Sequence, residues 1–541
     1  MPQAINLILA SRLEIAQSTT LLQAMFERIL MLRSAEVKEI KVIEVQEQVL
    51  STIRPDNENP FLQGPFRPNF REYTADTDSL TVLGELPRDL HGIFVRNTHN
   101  QVHEPMGLYH PFDGDGMLHA VHFENGKATY RNRFVRTTGF LAEQGAGQSL
   151  WPGLLQPQLA TRRGWGAIGA MKDNAGTDVL CHSGKLIASM SQGSEPWRLD
   201  PITLETLGPD SNWARKVVDG VSAHYKVDPR TGEMMFFNYP EQWPYMQYGV
   251  VDKDNRLVHY VPIELPGARW PHDLGITKNY TILHDLPLYF DPQKLKQGEH
   301  DLVFNREQQA RFGIVPRFGD NSQVRWFSAS PCYVLHLSNC YEEGDEVVMD
   351  GCIMPDYKKV PVSENQNIYD RIRANLDKHN NKTHMHRWRF NMKTGQTKEE
   401  YLDDEITEFP VMSNDYVGLP YRYSYNVLYK PGDWLFSGVK RFDLLSGRSQ
   451  RYEYGDGRYG SEPQVARRIG AVSEDDGYLV VMVADMKQDR SEILVLDAAN
   501  IDQGPIATII LPERMSVGTH ACWVEGDRIT GEGRDPKYIP V

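Results

Sequence analysis

Apolar residues fall into two unlike regimes along this chain. Over the first 40 residues, positions such as Ile8, Leu9, Leu13, Leu22, Phe26 and Ile29 recur at roughly helical spacing, with almost no Gly or Pro between them. The pattern predicts a helical extension over residues 1–55. It gives out at the loop-like Arg54-Pro-Asp-Asn-Glu-Asn-Pro60. From there the texture changes to short runs of β-branched and aromatic residues bounded by polar turns, such as Gly92-Ile-Phe-Val-Arg96, Gly477-Tyr-Leu-Val-Val-Met-Val483 and Ile493-Leu-Val-Leu496. One turn recurs: Asp228-Pro-Arg-Thr-Gly232, Asn391-Met-Lys-Thr-Gly395 and Asp443-Leu-Leu-Ser-Gly447 each separate two strand-like runs. Asp or Asn at the first position can bond its own backbone, and Gly at the last supplies a positive φ. The chain therefore reads as an all-β domain over residues 56–541, behind the extension. Such hairpins suit the rims of propeller blades and serve a sandwich equally well. Residues 286–330 and 355–385, which carry Pro and Asn, read as excursions above one face.

Composition narrows the partners. With 58 basic against 72 acidic side chains, the net charge is −14 and no basic stripe is visible, so nucleic acid is not an expected partner. The lack of a basic cluster favours a neutral or apolar small molecule. The five cysteines show no CxxC spacing, and no secretory signal precedes them. They read as reduced thiols of a cytoplasmic protein. No run of 18 apolar residues crosses a membrane as a helix. The extension leaves peripheral membrane association open, as an interfacial helix; the alternatives are a helix packed on the body or a loosely held tail. Glu14 and Glu27 argue against a transit peptide.

Four histidines carry the chemistry. His224, His272, His336 and His520 each stand alone, in Ser-Ala-His-Tyr, Pro-His-Asp-Leu, Leu-His-Leu-Ser and Thr-His-Ala-Cys contexts. Zinc ligands instead come in close pairs. Four neutral imidazoles supplied singly suit a borderline metal such as Fe(II). A propeller can gather them, because the inner strand of each blade faces a common axis. The remaining histidines are expected to be structural, including the pairs His119/His122 and His384/His386 and the single His110. Asp113-Gly-Asp-Gly116 reads as a tight turn, since the rest of a Ca²⁺ loop is missing.

These contexts belong to a longer series: Leu90-His-Gly-Ile-Phe-Val-Arg96-Asn97, His110-Pro-Phe-Asp-Gly-Asp-Gly-Met117, Asn339-Cys-Tyr-Glu-Glu-Gly-Asp345, Glu408-Phe-Pro410, Glu462-Pro463, Glu474-Asp-Asp-Gly477 and Leu511-Pro512. In this order, over residues 60–541, the series resembles the carotenoid cleavage oxygenase family. The resemblance implies a seven-bladed β-propeller with a dome of helices and loops over one face. It implies Fe(II) on the axis, held by His224, His272, His336 and His520 and reached through an apolar tunnel. It also implies cleavage of a conjugated C=C bond by O₂ into two carbonyl fragments. No nucleotide, flavin or 2-oxoglutarate-type motif calls for a further cosubstrate.

The family places glutamates behind three of its four histidines, where an imidazole N–H needs an acceptor to fix the ring. Glu408 and Glu462 match two of these positions. At the third, Ser191-Gln-Gly-Ser-Glu195 departs from the pattern, leaving either Gln192 or Glu195 as the replacement. Gly139 stands where stilbene-cleaving relatives carry a Lys, and Arg96-Asn-Thr-His-Asn100 departs from the usual Arg-Asn-Gly-Pro-Asn. The expected substrate is a carotenoid or apocarotenoid. A stilbene or a phenylpropenoid such as isoeugenol is the alternative, with isomerase chemistry and a non-catalytic lipid-binding propeller as lesser ones.

Overall fold

The computed structural model describes residues 44–529, apart from 166–168, 192, 218–219, 298 and 361–366. Most of the expected helical extension therefore lies outside the described residues. Its described part corrects the expectation: Glu44–Gln48 is a strand paired antiparallel with Arg71–Asp76. β-branched Val45 suits an extended segment, and the outer edge of Arg71–Asp76 offers it a free ladder.

The β domain is a seven-bladed propeller. Five blades are antiparallel meanders, with inner strands Asp178–His182, Lys226–Val227, Gly275–Ile276, Tyr333–Glu343 and Thr407–Val411; the third is interrupted by the small separate sheet Leu288–Phe290/Leu302–Phe304. The sixth, starting at Gln464–Arg467, takes Thr81–Gly84 from the start of the chain onto its outer edge. The seventh has Gly518–Glu525 innermost, paired with Gly92–Asn100 and followed outward by Asp115–Glu124 and Lys127–Phe134. The ring is thus closed twice by strands from opposite ends of the chain.

Apolar clusters fill the spaces between blades. Phe94, Val121 and Trp523 of the seventh blade pack on Val480, Ile493 and Ile509 of the sixth. Phe312 and Ile314 of the third pack on Val347, Trp388 and Phe390 of the fourth. Each such side chain contributes roughly 1.5–3 kcal/mol on burial.

The three recurrent turns form as read. Gly232, Gly395 and Gly447 have φ of 72°, 80° and 69° and donate their N–H to Asp228, Asn391 and Asp443 at 2.8, 2.9 and 2.8 Å. A fourth copy, Asp200-Pro-Ile-Thr-Leu204, escapes the pattern because Leu204 takes the left-handed position, with φ 59°.

An up-and-down meander puts every inner strand's start on one face. The second-to-third-strand connections and the blade-to-blade connections lie on that face too. It therefore carries the described residues of 101–114, 135–177, 286–309, 355–383 and 430–435, with the helices Thr138–Ala146, Pro292–Leu295 and Ile368–Leu376. This is the dome. The excursion expected over 286–330 is shorter than read, since Ala310–Pro316 and Arg325–Ala329 return as the outer strands of the third blade.

Candidate metal centre

At its dome-facing start each inner strand, or the two or three residues leading into it, places one polar side chain on the axis. In blade order these are Asp178, His224, His272, His336, Glu408, Glu462 and His520. Regular alternation would send strand side chains into the cores between blades. Three of the seven escape it at register breaks: His336 within Val334–Leu337, Glu408 within Glu408–Val411 and His520 within Gly518–Ala521. Such bulges re-aim a side chain. His224 does so with a left-handed backbone, φ 68°, a conformation costly for a non-glycine residue and steadied by its N–H bond to Asp178 Oδ2 at 2.9 Å.

The four histidines converge. One nitrogen from each lies within 4.8 Å of the others, a grouping able to hold a metal ion. His272 Nε2 and His336 Nε2 are 3.2 Å apart, and His224 Nε2 is buried without a hydrogen-bond partner. Burial, then repulsion among neighbouring imidazoles, pushes His224 and His336 well below the usual histidine range, and burial chiefly does the same to His272. Neutral rings with free lone pairs are what metal coordination requires. His520 differs. Burial lowers it, but Glu462 together with Asp178 and Asp273 leaves it raised.

The outer nitrogens are held unequally. His336 Nδ1 donates to Glu408 Oε2 at 2.5 Å, and His520 Nδ1 to Glu462 Oε1 at 3.3 Å. Glu408 is fully buried. Burial pushes its pKa up to about 7, against the pull of Lys378 and of the Phe409 N–H. His272 Nδ1 is buried with no partner among the described residues. Glu195 supplies none: it is half-buried, its N–H donates to Asp173, and Arg215 is its charged neighbour. Gln192 lies outside the described residues. Asp178 stands 3.8 Å from His224 Nδ1.

Sequence reasoning missed Asp178, Asp273 and Phe409. Asp273 accepts Lys226 Nζ at 2.6 Å and the Leu337 N–H at 2.9 Å, tying the second, third and fourth blades together. Its position directly after His272 was the available signal. Phe409, with φ 48°, stacks on His336 (4.4 Å) and His520 (4.9 Å). It joins Trp434, Phe436 and Ile372 in an apolar cluster under the dome. The other histidines stay apart from the centre. His119 bonds Thr98 and Tyr130, His384 bonds the Glu405 carbonyl, and His386 packs against Trp388 and Tyr401.

On the far side of the histidines, a cavity of about 260 Å³ runs down the axis. It begins at His224, His336 and His520 and reaches the Ser183–Gly184 and Asp228–Gly232 turns on the face opposite the dome. Among the described residues no helix is long and apolar enough to cross a membrane.

Comparison with known proteins places this geometry. The sequence profile of the family described as retinal pigment epithelial membrane protein matches residues 66–525. A carotenoid 9,10(9′,10′)-cleavage dioxygenase of Crocus sativus is 34% identical, over 91% of this chain and 94% of its own. An isoeugenol monooxygenase of Pseudomonas nitroreducens is 30% identical, over 87% and 99%. The crystal structure of Pseudomonas brassicacearum lignostilbene dioxygenase superposes with a TM-score of 0.76 at 28% identity, covering 88% of this chain and all of that one.

Proposed function

Because this chain belongs to the carotenoid cleavage oxygenase family, a family of alkene-cleaving dioxygenases, we propose that it splits a conjugated C=C bond of a carotenoid or apocarotenoid with O₂, using Fe(II) held by His224, His272, His336 and His520. The observation that carries the reading is the convergence of four imidazoles from four blades within 4.8 Å. In the overall reaction one O₂ is consumed per alkene, and each oxygen atom ends in one carbonyl product.

Fe(II) at this centre would supply the redox-active site at which alkene and O₂ react; a set of four neutral donors favours the +2 state. The chain's own residues do the rest. Glu408 and Glu462 accept the outer N–H groups of His336 and His520, fixing their tautomers so that Nε2 points inward. With no carboxylate seen behind it, His272 would be held less firmly. Phe409 and its aromatic neighbours give the dome side an apolar surface suited to a hydrocarbon chain, and they keep water from it.

The aryl-alkene alternative keeps one supporting observation, the kinship with an isoeugenol monooxygenase and a lignostilbene dioxygenase. An aerobic assay of the iron-loaded protein on a C40 carotenoid, an apocarotenal, a stilbene and isoeugenol separates the two. The account expects two carbonyl products from a polyene, with no NAD(P)H or 2-oxoglutarate added. Cleavage of isoeugenol alone would move the substrate to the aryl class. An obligate reductant, or turnover without O₂, would overturn the reaction.

A further inference from the structure

The two sides of the histidine centre differ in a way that the alkene reaction does not use. Above it, Phe409 lies on His336 and His520, backed by Trp434 at 5.8 Å and Phe436 at 5.1 Å. A hydrated dication gains nothing from such a wall and loses its water to pass it. Below it, the axial cavity is lined by five carboxylates, of which Asp228 is paired with Arg230 and Arg317 and Asp273 with Lys226, leaving Asp178, Glu462 and Glu525 to face Arg528. These carboxylates sit at different depths. Asp178 and Glu462 are beside the histidines, Asp228 is at the turn after the second inner strand, and Glu525 is at the far end of the seventh. Gln464 lines the same cavity and is buried, yet its side-chain amide has no hydrogen-bond partner among the described residues.

From this asymmetry we propose that the axial cavity is the entry path of the metal cation, opposite the face that takes the alkene. The inference rests on the metal reading of the four histidines. A cleft lined by one sign of charge concentrates counter-ions and raises their on-rate. The carboxylates not tied to a Lys or Arg, Glu525 at the outer end and Asp178 and Glu462 beside the histidines, do this for a divalent cation and offer it oxygen donors in exchange for water. The cation then meets His224, His336 and His520, which line the inner end of the cavity. Apolar substrate arriving through the dome never shares this path.

The test follows uptake of Co(II) by metal-free protein in stopped flow, read by its visible d–d absorption rather than by turnover. Gln464→Arg puts a guanidinium into the passage and should slow uptake about tenfold, while Arg528→Glu should speed it about threefold, with the same final Co(II) per chain. The wild-type rate should fall as salt rises. Unchanged rates in both variants would overturn the route while leaving the metal site standing. If the wild type takes up no Co(II) at its histidines, the metal reading fails and the route fails with it. If Gln464→Arg does not fold, Arg528→Glu decides alone, since acceleration and indifference have opposite meanings.

Discussion

The dome side and the axial side of the histidine centre are built from the same inner strands, yet they present opposite chemistry. Phe409 turns up and Glu408 turns back toward His336, although the two residues are neighbours in one strand. The register break at Glu408–Val411 and the left-handed Phe409 separate them. A regular strand would also put neighbours on opposite faces, but both would point into the cores between blades. The lesson is that the site is made by departures from strand geometry. The blades supply rigidity, and the bulges supply direction.

Acid should break the symmetry most strongly. His99 and His110 are buried on the dome side around Phe112, and burial pushes both down to about 3. A histidine folded neutral contributes stability that is complete above its unfolded pKa of about 6.5 and is lost as pH falls toward its folded value. Between pH 6.5 and 5 these two should cost roughly 3 kcal/mol together, offset in part by Asp113 and Asp115 beside them, which burial pushes up to about 6. The axial side is mixed, since burial lowers His182 there to about 4. Glu525 is pushed up to about 7 by burial, so its contribution is present below the usual carboxylate range and is lost as pH rises through about 7. Hydrogen exchange, corrected for intrinsic rates, should rise first in residues 101–114 on acidification. Uniform exposure of both faces would contradict the contrast.

Next in size are the carboxylates behind the rings. Glu408→Gln and Glu462→Gln should each weaken metal affinity or rate by roughly 10–100-fold without unfolding the protein, checked by metal titration against thermal melting. Unchanged titrations would remove both from the site. The smallest effect belongs to the dome side. Phe409→Leu stays apolar but removes the ring contacts with His336 and His520, worth about 0.5–1.5 kcal/mol. The KM for a polyene should rise about three- to tenfold, with bound metal unchanged. A loss of metal in this variant would show that the two sides are not separable.

Much of this was legible in the sequence. The single-histidine contexts pointed to His224, His272, His336 and His520, and the Asp/Asn-to-Gly turns gave three hairpins correctly. Glu408 and Glu462 were visible only through family resemblance, because an acid in a Phe-Pro or a Ser-Pro context carries no signature of its own. Leu204, His224 and Phe409 were illegible for a common reason. Each holds a positive φ that its side chain disfavours, so only tertiary packing can reveal it. Asp178 was missed because one acid at the head of an apolar strand reads as a solvated end, whereas here it faces the axis. The outer strands of the third blade read as loop in the sequence because a long insertion before them breaks the rhythm of strand and turn.

The central claim is that four histidines from four blades hold one iron, and metal analysis after anaerobic Fe(II) loading tests it most directly. The account predicts about one iron per chain in the wild type and less than about a tenth in folded His336→Ala, with turnover lost in parallel. A folded His336→Ala protein that keeps full iron and full turnover would contradict it.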